Sequence, residues 1–257
     1  MHTGNHNDPP NGLGPSIAAV ALWGASGGRR AQLLTEAERA RLSVIASIVR
    51  FNKGAQIYRE GDRADAVFNI VSGIVKSYRI LPDKTERIAA FLFAEDLFGL
   101  AEEGRYLNAT RAVTAVTAYR IPVSALESRL RKDAALEFHI ICKLCHELRE
   151  AQRHALLLGR KNALARLAMF FQLLEQHRSV KGETAEELYL PMTRSDVAAY
   201  LGMSLEAVSR SFRTLASRGV IAFRNKRSVK VTDRGRLEAL AALVEREEKD
   251  DGTTGSR

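Results

Sequence analysis

Four polar side chains in the segment 205–217 have the types and the spacing needed to read the edges of DNA bases. They are Glu206, Ser209, Arg210 and Arg213. Their steps of three and four residues place them on one face of a helix. An Arg donates twice to guanine O6 and N7, a Glu accepts from cytosine N4, and a Ser reaches a base edge. The alternative is a solvated helix face with a Glu206–Arg210 ion pair, so the surrounding elements must decide.

Those surrounding elements predict a helix-turn-helix. Thr193 and Asp196 form a helix-start box, and the apolar positions that follow continue until Gly202 interrupts them. Ser204 can cap a second helix, which Gly219 stops. The inward face of this second helix consists of Val208, Phe212 and Leu215. Two helices joined by a Gly-bearing turn are typical of DNA-binding domains, and the second one then presents the polar stripe.

A basic hairpin is predicted directly after this pair of helices. Its strands are Val220–Arg224 and Ser228–Val231, joined at Asn225 and Lys226. The cations around its tip are Arg224, Lys226, Arg227 and Lys230. Such a wing can hold DNA phosphates, although the same cations could simply keep a hairpin soluble. The predicted phosphate contacts are Arg194, Ser204, Arg213, Lys226 and Arg227.

The charge balance agrees with a polyanionic partner. The chain has 257 residues, with 39 Lys and Arg against 30 Asp and Glu, and carries a formal charge of +9. Residues 161–237 hold 14 of the basic and 7 of the acidic residues, so the excess is densest where the helix-turn-helix is predicted. A bias of this size raises the expectation of nucleic-acid binding without establishing it.

Composition and targeting signals favour a cytoplasmic protein with no membrane contact. No apolar run approaches the ~20 residues that a bilayer span requires. Residues 1–16 contain no Lys or Arg, which favours a disordered leader over a secretory signal. Two cysteines cannot form a disulfide framework.

The first half of the chain reads as a β-rich domain that follows a short helix pattern over Thr35–Ile48. The predicted strands are Gln56–Arg59, Val67–Val71, Ile74–Ile80, Arg87–Phe93 and Ala112–Ile121. Gly and Asp residues separate them, as is typical of a barrel or roll.

A helical period begins at Ser124 and contains a coiled-coil seam. The seam residues are Phe138, Ile141, Cys145, Leu148, Gln152 and Ala155, at alternating steps of three and four. We interpret this seam as the contact of a homodimer. Because it spans only two to three heptads, packing onto the core of the same chain is the alternative. A second helical segment is predicted over Lys161–Gln176 and a polar loop over Ser179–Glu187.

The order of these elements resembles the Crp/Fnr superfamily of bacterial transcription regulators over roughly residues 33–240. The landmarks are Gly54, Ile57, Gly61-Asp62, Ile70–Gly73 and Asp96–Leu100 in the roll, and Leu201–Ser204 with Glu206–Arg210 in the helix-turn-helix. The resemblance implies an α+β protein with an N-terminal β-roll (a cyclic-nucleotide-binding-like jelly roll), a long dimerisation helix and a C-terminal winged helix-turn-helix. The expected domains are a leader 1–30, a sensory-type roll 31–130, a dimerisation helix 131–160, a DNA-binding domain 161–245 and a tail 246–257.

Within that superfamily the recognition helix is similar to the Fnr and FixK branches, which bind an inverted repeat resembling TTGAT, four bases, ATCAA. In the cyclic-AMP receptor branch an Arg precedes the Glu, whereas here that residue is Leu205, which suits a thymine methyl. The base contacts implied are Leu205, Glu206, Ser209 and Arg210. An inverted repeat requires a two-fold protein with half-sites about one helical turn apart, ~34 Å. The partners implied are double-stranded DNA, a second copy and RNA polymerase, with activation as the family default.

The residues that would hold a cyclic nucleotide differ from those of cyclic-AMP-binding relatives. A Glu and an Arg-Ser pair hold the cyclic phosphate there, and the aligned residues here are Leu97, Leu107 and Asn108. These lack the charge-assisted contacts that a buried phosphate requires, although Arg105 or Arg111 could substitute from another angle. The resemblance also implies a short helix after Leu100.

No cofactor is expected from the ligand residues present. The Fnr branch holds an iron–sulfur cluster with four thiolates, and residues 1–141 contain no Cys. The stretch Cys142–His146 matches the haem attachment pattern C-x-x-C-H, but it falls inside an amphipathic helix, which favours packed thiols; a redox role for Cys142 stays open. The histidines His139, His146, His154 and His177 form no pair with metal spacing.

Two classes of function therefore remain, and neither is enzymatic. The sequence has no nucleophile elbow, P-loop, dinucleotide fingerprint or zinc-protease motif. We favour a FixK-like regulator whose activity follows its amount. The alternative is a haem- or small-molecule-gated sensor of the same superfamily, in which a ligand in the roll controls DNA binding.

Overall fold

The computed structural model describes residues 42–179, 187–225 and 227–242. The predicted leader 1–30, the predicted tail 246–257 and Lys226 lie outside the described residues, as does most of the helix predicted over Thr35–Ile48. The end of that predicted helix is wrong. A strand occupies Ser47–Phe51 instead, because Ile48 pairs with Tyr119 in an antiparallel ladder.

Eight strands form the N-terminal roll. They are β1 (Ser47–Phe51), β2 (Gln56–Tyr58), β3 (Ala66–Ser72), β4 (Val75–Ile80), β5 (Glu86–Leu92), β6 (Leu97–Phe98), β7 (Ala109–Ala112) and β8 (Val116–Pro122). Two antiparallel sheets result, in the orders β1-β8-β3-β6 and β2-β7-β4-β5. The single strand predicted over Ala112–Ile121 is in fact β7 and β8, since Val113 leaves its ladder to donate to the Ile74 carbonyl.

Alternation along β3 explains how the roll is filled. Phe68 and Ile70 point between the two sheets, into an interior shared with Val75 and Phe98. Val67 lies on the other face, in a separate apolar cluster beneath the helices that follow the roll. Successive side chains of a strand point to opposite faces, so one strand supplies both clusters.

Three helices follow the roll: α1 (Val123–Leu130), α2 (Ala134–Leu158) and α3 (Ala163–Ser179). Asp133 caps α2, because its carboxylate accepts from the Leu136 amide. Leu136 packs beneath the roll, and the buried Lys143 pairs with the buried Asp96 at 2.9 Å. The first half of α2 is therefore fixed to the roll.

The C-terminal part contains the remaining elements. They are β9 (Glu187–Tyr189), α4 (Arg194–Leu201), α5 (Leu205–Ser217), β10 (Ile221–Asn225), β11 (Ser228–Val231) and α6 (Arg234–Ala242). The strands pair in the order β10-β11-β9, so β9 replaces the end of the polar loop predicted over Ser179–Glu187. The expected α+β architecture of β-roll, long helix and winged helix-turn-helix is confirmed. In the described part of the chain, no helix combines the length and apolarity needed to cross a bilayer.

Candidate nucleic-acid interface

The first helix of the pair begins and ends as its sequence predicts. Thr193 accepts from the Asp196 amide while the Asp196 carboxylate accepts from the Thr193 amide, which completes a capping box at the start of α4. Gly202 ends α4 in the left-handed region at φ 62°, a conformation that costs Gly little. Arg166 of α3 donates to the Leu201 and Gly202 carbonyls, which satisfies the open end of the helix.

The second helix buries one face and exposes the other. Ser204 caps α5 by accepting from the Ala207 amide at 3.1 Å. Its buried residues are Val208, Ser211, Phe212 and Leu215. Phe212 packs edge-on against Phe171 of α3, so the core of the domain fixes the rotation of α5 about its own axis.

The structure brings the proposed base-reading side chains together on the exposed face of α5. The Glu206 and Arg210 side chains are 76% and 64% exposed, and 3.7 Å separates their charged atoms. An exposed pair at that distance contributes little, so base edges can replace it. The half-buried Ser209 donates its hydroxyl to the Leu205 carbonyl, which leaves its oxygen as an acceptor. Leu205 is half exposed at the start of the same face.

Apart from Arg194, the predicted phosphate-binding residues belong to α5 and to the wing. Ser204 stands at the start of α5 and Arg213 is exposed two turns along it. Arg227 is exposed at the wing, where its amide donates to the Asn225 side chain. Lys226, the remaining wing residue of this set, lies outside the described residues. Arg224 differs from Arg227, since it lies 3.3 Å from Glu187 of β9.

Arg194 lies between the recognition helix and the wing, over two aromatic rings, which the sequence alone does not indicate. Its guanidinium carbon lies 3.3 Å from the ring centre of Phe212 and 5.7 Å from that of Phe223 in the wing. No acidic residue pairs with Arg194 within the ranges that the structure describes. Stacking uses the faces of the guanidinium, so its N–H groups at the edge are still able to donate to a phosphate.

Sequence reasoning missed Phe223 and Glu187 as parts of this surface. Phe223 packs the wing against the recognition helix, since its ring stacks with that of Phe212 at 6.1 Å between ring centres. Glu187 accepts from the Ser228 hydroxyl and neutralises Arg224. An apolar residue in a short strand and an acidic residue in a polar loop give no local signal, since their partners lie far away in sequence.

The predicted dimer seam is exposed along the whole face of α2. Phe138, Ile141 and Leu148 are 43%, 50% and 61% exposed. Cys145, Gln152 and Ala155 are exposed on the same face. The opposite face of α2, which includes Leu136 and Ile140, is the one that packs on this chain. An apolar stripe of this length on a lone helix is typical of a helix with a partner.

The interior of the roll is occupied by its own aromatic side chains. Tyr58 stacks on Tyr106 with ring centres 3.6 Å apart, and Phe68 stacks near Phe98 at 5.2 Å. The Tyr106 hydroxyl donates to the Ala66 carbonyl at 2.7 Å. Burial raises the pKa of both Tyr58 and Tyr106, so both hydroxyls stay protonated.

The segment that would hold a cyclic phosphate does not fit one. Residues 99–108 form turns and bends with one β-bridge at Arg105, whose guanidinium donates to the Gly61 carbonyl. The short helix expected after Leu100 is therefore absent from this described segment, together with the amide donors that its start would offer. Leu97 is buried in β6, whereas Leu107 is 71% exposed. Arg111 points away from the roll interior, where its guanidinium donates to the hydroxyl of Tyr78.

The two cysteines lie within the continuous helix α2, as predicted. Cys142 is buried and Cys145 is exposed on the seam face. Burial raises the pKa of the Cys142 thiol, which disfavours the reactive thiolate. Among the described residues, no group of three or more His, Cys, Asp or Glu side chains is arranged to hold a metal ion.

Two protein-family descriptions match two separate parts of the chain. Residues 48–133 match the cyclic nucleotide-binding domain, and residues 165–240 match the Crp-like helix-turn-helix domain. The first match covers the roll and the second covers α4, α5 and the wing.

Known proteins resemble the chain over most of its length. The nitrogen fixation regulation protein FixK of Bradyrhizobium diazoefficiens is 31% identical over 81% of this chain and 88% of its own. The fumarate and nitrate reduction regulatory protein of Salmonella typhi is 30% identical over 74% of this chain and 76% of its own. The solved structure of FixK2 from Bradyrhizobium japonicum superposes with a TM-score of 0.72 at 33% identity, covering 78% of this chain and all of that one.

Proposed function

The chain belongs to the Crp/Fnr superfamily of DNA-binding transcription regulators, in its FixK-like branch, and from that premise we propose that it acts as a homodimer on an inverted repeat resembling TTGAT, four bases, ATCAA. The observation that carries the proposal is the exposed face of α5, which presents Glu206, Ser209 and Arg210 together. Arg210 contacts the guanine of TTGA, Glu206 the paired cytosine, and Leu205 a thymine methyl.

Phosphate contacts set the register of that helix in the major groove. Ser204 and Arg213 lie on α5 with the base-reading stripe, Arg194 stacks on Phe212 of the same helix, and Arg227 is exposed on the wing. By its sequence position, Lys226 adds a further phosphate contact beside Arg227. These contacts supply affinity without sequence information. The exposed stripe on α2 pairs with the same stripe of a second copy and places two recognition helices one helical turn apart.

The regulator needs no bound effector in this proposal. The stacked aromatic side chains fill the roll, and the turns at 99–108 lack the donors that a cyclic phosphate requires. Activity then follows the amount of protein in the cytoplasm. The bound dimer activates transcription by contacting RNA polymerase, which is the family default.

Operator binding by the purified protein tests the proposal. A colourless protein that binds TTGAT-N4-ATCAA tightly, ignores a scrambled duplex and needs no additive supports it. A Soret absorption band, or binding that appears only after a small molecule is added, would replace it with the gated-sensor alternative. Equal affinity for both duplexes would refute the operator assignment.

A further inference from the structure

A buried cluster of charges joins the roll to the helix-turn-helix. The Lys76 ammonium of β4 lies 2.7 Å from the Asp196 carboxylate of α4 and 2.6 Å from the Glu86 carboxylate of β5. Lys76 is only 8% exposed. The lysine is thus shared between a carboxylate of its own domain and a carboxylate of the DNA-binding domain, 120 residues apart in the chain.

Asp196 serves two structures through its two oxygens. One oxygen accepts from Lys76, and the other accepts from the amide and the hydroxyl of Thr193, at 2.9 and 2.7 Å. The carboxylate that caps the first turn of α4 therefore also ties that turn to the roll. Because Glu86 of β5 holds the same ammonium, Lys76 cannot swing freely, and its contact with Asp196 restricts where the first turn of α4 lies against β4.

Both charges persist at neutral pH. Burial by itself would lower the pKa of Lys76, but its hydrogen bonds to Asp196 and Glu86 raise it above the usual value. Burial by itself would raise the pKa of Asp196, but the bonds from Lys76 and Thr193 lower it. The two shifts agree in sign with a single, mutually stabilised ion pair.

The rest of α4 contacts the roll and α2 through packing and through one hydrogen bond, which joins the His154 imidazole of α2 to the Tyr200 carbonyl at 2.8 Å. Tyr200 lies against Phe91 of β5, with ring centres 5.2 Å apart, and stacks on His154 of α2 at 4.1 Å. Aromatic rings keep their apolar contact when they slide by a small amount, whereas separation of a largely buried ion pair leaves uncompensated charges, which is strongly unfavourable. The Lys76–Asp196 pair is therefore the contact that most strongly opposes a rotation of α4 against the roll.

A fixed α4 also fixes the recognition helix. The turn between them is tight, since the Met203 amide donates to the Ala198 carbonyl and Phe212 is locked in the shared core. A bidentate base contact tolerates errors of only about 0.5 Å and 10–20°. The base-reading face stays exposed in this arrangement, so the pair holds α5 without masking it.

We propose that Lys76 is a positioning residue for operator recognition, which acts through Asp196 to set the angle at which each subunit presents its recognition helix. This inference rests on the proposed function. An incorrect angle in both subunits misplaces two Arg210 side chains relative to their guanines. Removal of the Lys76–Asp196 pair therefore weakens binding to the operator and reduces the preference for a four-base spacer, while binding to non-specific DNA changes little.

Paired substitutions test Lys76. Lys76→Gln combined with Asp196→Asn removes both charges of the pair, and Asn keeps an acceptor for Thr193. The Glu86 carboxylate loses its cation in this variant, but 26% of its side chain is exposed to solvent and the amide of the introduced Gln can still donate to it. We expect operator affinity to fall about tenfold, a usual size of coupling between contacting residues, and the preference for four over five spacer bases to shrink. The single variant Lys76→Arg should keep most of the operator affinity and most of the spacer preference, because an arginine can still reach Asp196 with a positive charge.

Glu86→Gln is the matched control. It removes the carboxylate that stays within the roll and leaves the Lys76–Asp196 pair in place. We expect wild-type spacer preference from it. If the double variant folds with an unchanged unfolding midpoint and retains wild-type affinity and spacer preference, Lys76 has no positioning role.

A measurement without DNA separates this inference from the proposed function. Hydrogen exchange of the α4 amides and trypsin cleavage after Arg160 or Lys161, between α2 and α3, both report whether the DNA-binding domain is held. The rates of hydrogen exchange and of trypsin cleavage should both rise in the double variant and stay at wild-type levels in Glu86→Gln. Failure of the wild-type protein to select the inverted repeat would refute the operator but leave this result interpretable; unchanged exchange and cleavage in the double variant would overturn the role of Lys76.

Discussion

The guanidinium of Arg194 stacks on the ring of Phe212, and 3.3 Å separates the guanidinium carbon from the ring centre. This cation–π contact joins α4 to the recognition helix α5. Burial lowers the pKa of Arg194 from its ordinary value, and an Arg remains charged at neutral pH even so. One side chain thus joins α4 to α5, approaches Phe223 of the wing and keeps donors for DNA.

Arg194→Lys should weaken both stability and DNA binding. A lysine keeps the charge but loses the planar stack, so we expect the unfolding free energy to fall by about 0.5–2 kcal/mol and affinity to fall evenly across DNA sequences. Chemical denaturation and fluorescence anisotropy measure the two effects. Arg218→Lys, on an exposed residue at the end of α5, is the control. Wild-type stability of Arg194→Lys would mean that the stack contributes nothing.

Arg210→Ala should abolish selective operator binding while the dimer persists. The substitution removes the two donors offered to guanine and costs roughly 1–3 kcal/mol of discrimination in each half-site. Anisotropy with TTGAT-N4-ATCAA and a scrambled duplex gives the ratio of affinities, and sedimentation gives the oligomeric state. An unchanged ratio would show that α5 does not read this operator.

Arg227→Ala should weaken binding to all sequences alike. The exposed wing arginine is expected to neutralise one phosphate per subunit, so the slope of log affinity against log salt should flatten by ~0.9 for each phosphate that is no longer neutralised. Lys226→Ala is expected to behave in the same way. Arg224→Ala is the comparison variant, since Glu187 lies 3.3 Å from that side chain and offsets part of its attraction for a phosphate, so its slope should flatten less. Equal effects of the Arg224 and Arg227 substitutions would contradict this distinction.

Leu148→Glu should convert the dimer to monomers. In the proposed parallel dimer, a carboxylate at the centre of the seam would face its symmetry mate, and neither charge would find a partner there. Analytical ultracentrifugation measures the dissociation, and circular dichroism checks that the monomer remains folded. Leu148→Met keeps an apolar side chain and should stay dimeric. A dimer that survives Leu148→Glu would place the two-fold contact elsewhere.

Acidification should destabilise the protein through His154. Burial lowers the pKa of this imidazole, although its bond to the Tyr200 carbonyl opposes the shift. The folded state therefore binds fewer protons than the unfolded state, so the unfolding free energy falls as pH drops below about 6.5. Burial raises the pKa of Tyr200, the close contact of His154, so that hydroxyl does not titrate in this range.

Denaturation of the wild type and of His154→Gln between about pH 7.5 and pH 5 separates this histidine from the others. Gln can still donate to the Tyr200 carbonyl but carries no charge at any pH. The stability difference between the two proteins should shift in favour of His154→Gln as the pH falls. A difference that does not vary with pH would assign the acid sensitivity to other groups.

The recognition helix could be predicted because its signals are local. The cap at Ser204, the period of Val208, Phe212 and Leu215, and the stop at Gly219 all lie within 16 residues, and α5 is observed at Leu205–Ser217. The exposed stripe on its other face followed from the same period. Neither inference needed a distant partner.

Features that depend on distant partners were missed. Strand β9 forms because Leu188 pairs with Val229, some 40 residues later, and its three residues carry no strand signal of their own. The Lys76–Asp196 pair joins a strand residue to a residue of a helix cap. Nothing in the sequence indicates this pair, because the capping box with Thr193 already accounts for the Asp196 carboxylate. Likewise, the turns at 99–108 depart from the short helix that the family resemblance implied.

If the exposed apolar stripe of α2 forms the proposed dimer contact, the level of gene expression controls operator occupancy steeply. Where subunits and pairs coexist, the concentration of pairs rises with the square of the subunit concentration, so a doubling of synthesis raises operator occupancy by up to about fourfold. When proteolysis lowers the subunit concentration, operator occupancy would fall by the same square relation. A regulator built this way converts a modest change in its own expression into a larger change in its targets.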